Sequence, residues 1–101
     1  MRRGTTPTLT FTTPYEASLV QSGYLTFQQR GTNVLDIPLS DESITVADNA
    51  ISVELTQEQT LAFNAAAPCY AQIRALLASN AAVASNIVQI PICAILKDGE
   101  I

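Results

Sequence analysis

The side chains able to do covalent or acid–base chemistry in this sequence are few and poorly spaced for it. Serine and threonine are abundant, but a hydroxyl becomes a nucleophile only beside a base that takes its proton. The chain has no histidine, which leaves Lys97 or a carboxylate for that task. Lys97 lies in Lys97-Asp98-Gly99-Glu100, a turn by composition, and reads as a solvated surface lysine. Two carboxylate pairs, Asp41/Glu42 and Glu54/Glu58, have the residue types of a glycosidase couple. The first falls in a turn and the second straddles a strand end, so both are expected as solvated charges. Cys69 and Cys93 are the only cysteines, too few for a zinc site or a disulfide scaffold. Gly4, Gly23, Gly31 and Gly99 are isolated, each expected at a turn, and build no phosphate-binding loop. The expectation is a non-enzymatic chain with no catalytic residue, no metal site and no cofactor.

The remaining chemistry is recognition. Tyr15, Tyr24 and Tyr70 carry flat rings with a polar tip, the side chains with which open β faces stack on sugars or bases. Packing at the edge of a core is the alternative for each. Nine acidic against five basic residues leave a net charge of −4, and Arg2 and Arg3 are a pair rather than the patch that phosphate backbones require. The uncharged run from Ala75 to Leu96 is broken by Ser79, Asn80, Ser85, Asn86, Gln89 and Pro91, so it is not expected to span a membrane. Threonines at 5, 6, 8, 10, 12 and 13 fill the space after the arginines where the apolar part of a secretion signal would lie. The reading is a leaderless single domain over residues 1–101, made and folded in a cytoplasm, with its first strand starting close to Met1.

Elements that would position these residues show mostly a period of two. Thr8-Leu9-Thr10-Phe11-Thr12 alternates strictly, with Leu9 and Phe11 expected inward. Tyr24–Gln29 and Val34–Leu39 flank the turn Arg30-Gly31-Thr32-Asn33 as one hairpin, and Ser43–Val46 and Ile51–Leu55 flank Ala47–Ala50 as another. Thr56-Gln57-Glu58-Gln59 reads as a capping box opening one short helical turn, and Pro68 ends any helix before it. Cys69–Leu76 and Val83–Ile92 are the last strands, joined by a turn over Leu77–Ala82. If Ala71, Ile73 and Ala75 face inward with Val88, Ile90 and Ile92, Cys69 points in and Cys93 out, which favours free thiols. A bulge at Pro91 would reverse that parity. The fold class expected is all-β: a two-sheet antiparallel immunoglobulin-like sandwich of about seven strands with one short helical turn. A Greek-key barrel is the runner-up. Only 14% of residues are charged, against roughly 25% in typical domains, so Thr, Ser, Gln and Asn must coat the surface.

Several segments together resemble a family of small phage and prophage proteins of Gram-positive, often gut-dwelling, bacteria. They are Gly4–Phe11, Tyr24–Gln29, Leu55–Phe63, Gln72-Ile73-Arg74, Ala84–Ile87 and Ile95–Gly99, and they span almost the whole chain. In outline the chain is also similar to the N-terminal domain of the upper baseplate protein of lactococcal phages, mainly in strand order and in the Thr-Pro-x-Leu-x-Phe flavour of the first strand. It departs from that pattern at Ser79–Ala82, which lacks an Asp-Gly turn, and at Pro68-Cys69, an unusual strand start. The resemblance implies a structural module of tail, baseplate or neck, made in the host bacterial cytoplasm and then carried in the virion. Its partners would be other virion proteins or copies of itself as a homo-oligomer, with no nucleic acid and no membrane. The extended Gly4, Thr5, Thr6 and Pro7 and the apolar Ile95 and Leu96 are the candidate docking segments; Ile95 and Leu96 folding back over one end of the sandwich is the alternative. A phage-encoded inhibitor of a host enzyme or defence complex is the second functional reading. A carbohydrate-binding host-recognition module using Tyr15, Tyr24 and Tyr70 is the third.

Overall fold

In the computed structural model, which describes residues 1–101, the alternating segments form two antiparallel sheets with their apolar faces together. The strands are β1 (Thr8–Thr12), β2 (Val20–Gln29), β3 (Thr32–Pro38), β4 (Ile44–Ala47), β5 (Ala50–Glu54), β6 (Cys69–Leu77), β7 (Ala82–Ala84) and β8 (Val88–Ile90). One sheet runs β1-β5-β4; the other runs β3-β2-β6, with β7 and β8 sharing the last position along β6. The molecule is therefore an all-β sandwich with one short helix, α1 (Gln57–Leu61), and a 3-10 turn at Ala17–Leu19. In antibody constant domains the second strand lies beside the first and fifth. Here β2 sits in the opposite sheet, between β3 and β6, so the sandwich has its own strand order.

Alternation decides what is buried. Leu25 and Phe27 of β2, Ile37 of β3, Ile51 and Val53 of β5, and Ala71, Ile73 and Ala75 of β6 form the core. A slip of one residue in any of these strands would turn its apolar set to solvent. Phe63, just after α1, closes one end edge-to-face on Phe27, with ring centroids 5.6 Å apart. The capping box forms as its sequence requires: Thr56 Oγ1 accepts from the Gln59 amide at 3.1 Å, and Gln59 Oε1 accepts from the Thr56 amide at 2.9 Å. Arg30 and Gly31 alone make the first hairpin turn, both with positive φ (52° and 74°), which matches the right-handed twist of the flanking strands. Asn80, with φ of 68°, supplies the left-handed residue in the β6–β7 turn, where an Asp-Gly pair is missing.

Two expectations need correction. Gly23 is not at a turn but inside β2, which begins at Val20. A Cβ there would collide with the Arg74 carbonyl and come within 2.9 Å of Ala75 Cα, so the glycine permits a close approach of β2 to β6. The final strand is not continuous from Val83 to Ile92 but broken between β7 and β8. Ser85 fills the break: its amide donates to the Ile73 carbonyl at 2.8 Å, and its Oγ accepts from the Ile73 amide at 3.0 Å. The irregularity that shifts the register therefore lies at Ser85 to Ile87 rather than at Pro91. Beyond it Val88 and Ile90 stand opposite Ala71 and Cys69, on the core side. Cys69 is buried, Cys93 is half-buried, and both thiols are free.

Candidate functional site

The terminal docking segments are engaged within the chain. Arg2 pairs in parallel with Cys93; the Arg3 amide donates to the Cys93 carbonyl at 3.1 Å, and the Cys93 amide donates to the Met1 carbonyl at 2.8 Å. Arg3 then closes the end of α1. Its guanidinium donates to the Phe63 carbonyl at 2.7 Å and the Leu61 carbonyl at 2.9 Å, and pairs with Asp98 at 3.2 Å. Cationic groups suit exposed carbonyls at a helix C-terminus. Gly4 packs where a Cβ would meet Ile95 Cδ1 at 3.0 Å, and the Thr5 carbonyl accepts from Thr60 Oγ1 at 2.8 Å. The Pro7 carbonyl accepts from the Leu55 amide at 3.0 Å. Ile95 thus folds back over the chain, whereas Leu96 is fully exposed.

The three tyrosines do not meet. Tyr24 on β2 and Tyr70 on β6 are exposed on the outer face of the larger sheet. Tyr70 stands opposite Gln28, four residues along β2 from Tyr24, so roughly 13 Å of strand separates the two rings. Tyr15 lies between β1 and the 3-10 turn, with its hydroxyl buried and unpartnered. That burial raises its pKa and takes it off any shared stacking platform. Of the acidic side chains, Asp41, Glu42, Glu54 and Glu100 line one open groove of about 650 Å³, a grouping invisible in the sequence because Glu100 is far from the others. Asp41 is already employed there: Ser43 donates to its carboxylate through the amide (3.0 Å) and the hydroxyl (2.6 Å), and these bonds hold its pKa below the usual range. No three acids or thiols converge closely enough to hold a metal ion.

The most distinctive surface is a cleft of about 670 Å³ on the side where β1, an edge of one sheet, faces β7 and β8, the edge of the other. Leu9, Phe11, Val88 and Ile90 line it, with Thr10 and Ser85 among the polar groups, and no charged side chain enters it. Leu9 and Phe11 do point inward, opposite Val53 and Ile51, but they remain half-exposed because nothing lies beyond β1. Val88 is 44% exposed and Ile87 beside it 64%.

No protein-family model, curated protein or solved structure matches the chain. The cleft must be read from its own geometry. Its backbone is as informative as its side chains. The Leu55 amide donates to the Pro7 carbonyl, and the Thr13 amide donates to the Asn49 carbonyl at 2.7 Å. These contacts bracket β1 at odd-numbered residues. In an antiparallel ladder the bonded pairs alternate, so residues 9 and 11 spend their backbone groups on β5. The N–H and C=O groups of Thr8, Thr10 and Thr12 then point out of the sheet. Alternation of the side chains was legible in the sequence; the openness of this edge was not, because it depends on β2 joining the other sheet.

Proposed function

We propose that this chain is a non-enzymatic assembly module that works through the open side of its sandwich, as a structural component of a phage tail, baseplate or neck. The carrying observation is the uncharged cleft between β1 and β7/β8, bordered by an unpaired strand edge. Main-chain bonds to an exposed edge supply affinity and flanking apolar pockets supply selectivity in strand-addition interfaces. The phage setting comes from the resemblance of Gly4–Phe11 and the later segments described above. Quantitative mass spectrometry of particles purified from the host, with antibody labelling seen by electron microscopy, tests it. Recovery at a fixed copy number per particle supports the reading. A polypeptide abundant in the cell but missing from particles overturns it.

The acidic groove around Asp41, Glu42, Glu54 and Glu100 favours a second reading, an inhibitor that occupies a basic surface on a host protein. Association with such a partner would weaken steeply with added salt. Charge removal at Glu42 and Glu54 would weaken it further; a salt-independent complex would exclude it.

A further inference from the structure

We infer that β1 is a self-complementary edge, and that a second copy of this chain adds across it about a twofold axis through Thr10. The inference rests on the assembly reading and names its first partner. Thr8, Thr10 and Thr12 carry the free backbone groups, as derived above. Placed antiparallel with Thr10 opposite Thr10 of a second copy, Thr8 falls opposite Thr12 and Thr12 opposite Thr8. Every free donor and acceptor then meets another free one, and all three pairs are of the hydrogen-bonded kind. Leu9 falls opposite Phe11 at the non-bonded positions, where side chains approach most closely. The two three-stranded sheets become one continuous sheet. The added Leu9 and Phe11 lie over the mouth of the cleft, toward the exposed Val88.

Other edges of the molecule carry features that discourage such pairing. β3 holds Asp36 and Pro38, and β7/β8 is short and broken at Ser85, with Pro91 following. β4 is flanked by Asp41, Glu42 and Asp48. Charges, prolines and bulges are the usual protections of an edge. β1 has none between Pro7 and Pro14, and in a chain of net charge −4 two copies approach along this uncharged edge without local charge repulsion. The contact is small beside the roughly 1,200 Å² of stable complexes, so the pair is a concentration-dependent dimer that forms in the micromolar-to-millimolar range.

Light scattering over that range, with directed disulfides, tests both partner and register. In a Cys93→Ser background, Thr10→Cys should bridge two copies under mild oxidation, because paired Cα atoms about 5.5 Å apart suit a disulfide. Thr12→Cys alone should not, since its own mate is roughly 13 Å away along the strand, whereas Thr8→Cys with Thr12→Cys should. Thr10→Pro removes an outward N–H and the solvent-exposed hydroxyl bond between Thr10 and Ser52 (3.0 Å) but no ladder bond to β5, so it should leave the unfolding midpoint close to that of a Thr10→Val control while weakening dimerisation at least tenfold. Thr10→Lys, which sets two cations on the axis, serves the same purpose without altering the backbone. A wild-type chain monomeric at millimolar concentration, equal bridging by Thr10→Cys and Thr12→Cys, or dimers that survive both Thr10→Pro and Thr10→Lys would each overturn the inference. Monomers that are nonetheless found in particles would defeat the twofold and leave the assembly reading standing. Dimers paired through β1 but absent from particles would do the reverse.

Discussion

Gln29 is the buried polar side chain on which one end of the sandwich depends. It sits at the end of β2 with its amide nitrogen donating to the carbonyls of Asn64 (2.8 Å) and Ala67 (3.0 Å), while its oxygen accepts from the Asn64 amide at 2.8 Å. The loop after α1 thereby has its backbone groups satisfied by a side chain rather than by a strand. Gln29→Ala strands those groups, and urea unfolding should show a loss of about 1–3 kcal/mol, more than for Gln28→Ala on the exposed face. Cys69 gives the molecule an alkaline limit. Burial raises its thiol pKa, so its folded value lies above its unfolded one. The neutral thiol favours the fold fully below the unfolded pKa, near 8.5, and this contribution is lost as pH rises through the folded value. Denaturant midpoints should fall above about pH 8.5, and Cys69→Ala should flatten that slope. Thiol reagents should label Cys93 well before Cys69 in the folded chain.

At the level of elements, the first hairpin carries a correctable cost. Its two-residue turn needs positive φ at both positions. Gly31 adopts this freely, but Arg30 pays steric strain that asparagine tolerates better. Arg30→Asn should raise stability by about 0.5–1 kcal/mol, read as an increase of several degrees in Tm. This turn also shows where sequence reasoning succeeds. Thr8–Thr12, the two hairpins and the capping box at Thr56 were legible because each is written by neighbours: alternation, turn residues or reciprocal hydrogen bonds. Gly23 and Ser85 were not. Gly23 is a glycine because of Arg74 and Ala75 on β6, and Ser85 breaks a strand because its hydroxyl replaces a backbone acceptor for Ile73. Such causes lie across the sheet and leave no mark in the local pattern. The candidate site was half legible for the same reason: its inward Leu9 and Phe11 followed from alternation, its open edge from the sheet to which β2 belongs.

The whole molecule is closed by the contact between its terminal segments. Arg3 joins three parts at once: the backbone beside Cys93, the carbonyl end of α1, and Asp98. Arg3→Ala removes charge-assisted bonds that contribute about 1.5–3 kcal/mol each where well formed. Discounted for partial exposure, the loss should be about 1–2 kcal/mol by denaturant unfolding. Amide exchange should quicken at Cys93 and stay slow at Leu25 and Ile73 in the core. The direction of this closure has a mechanical meaning. Because Met1–Arg3 and Pro91–Ala94 run parallel, tension applied to the two ends of the chain drags the paired segments in opposite senses along their length. The Arg2–Ala94, Arg3–Cys93 and Cys93–Met1 bonds are then sheared together instead of being peeled apart singly, and the contact behaves as a latch that bears load before the sandwich does.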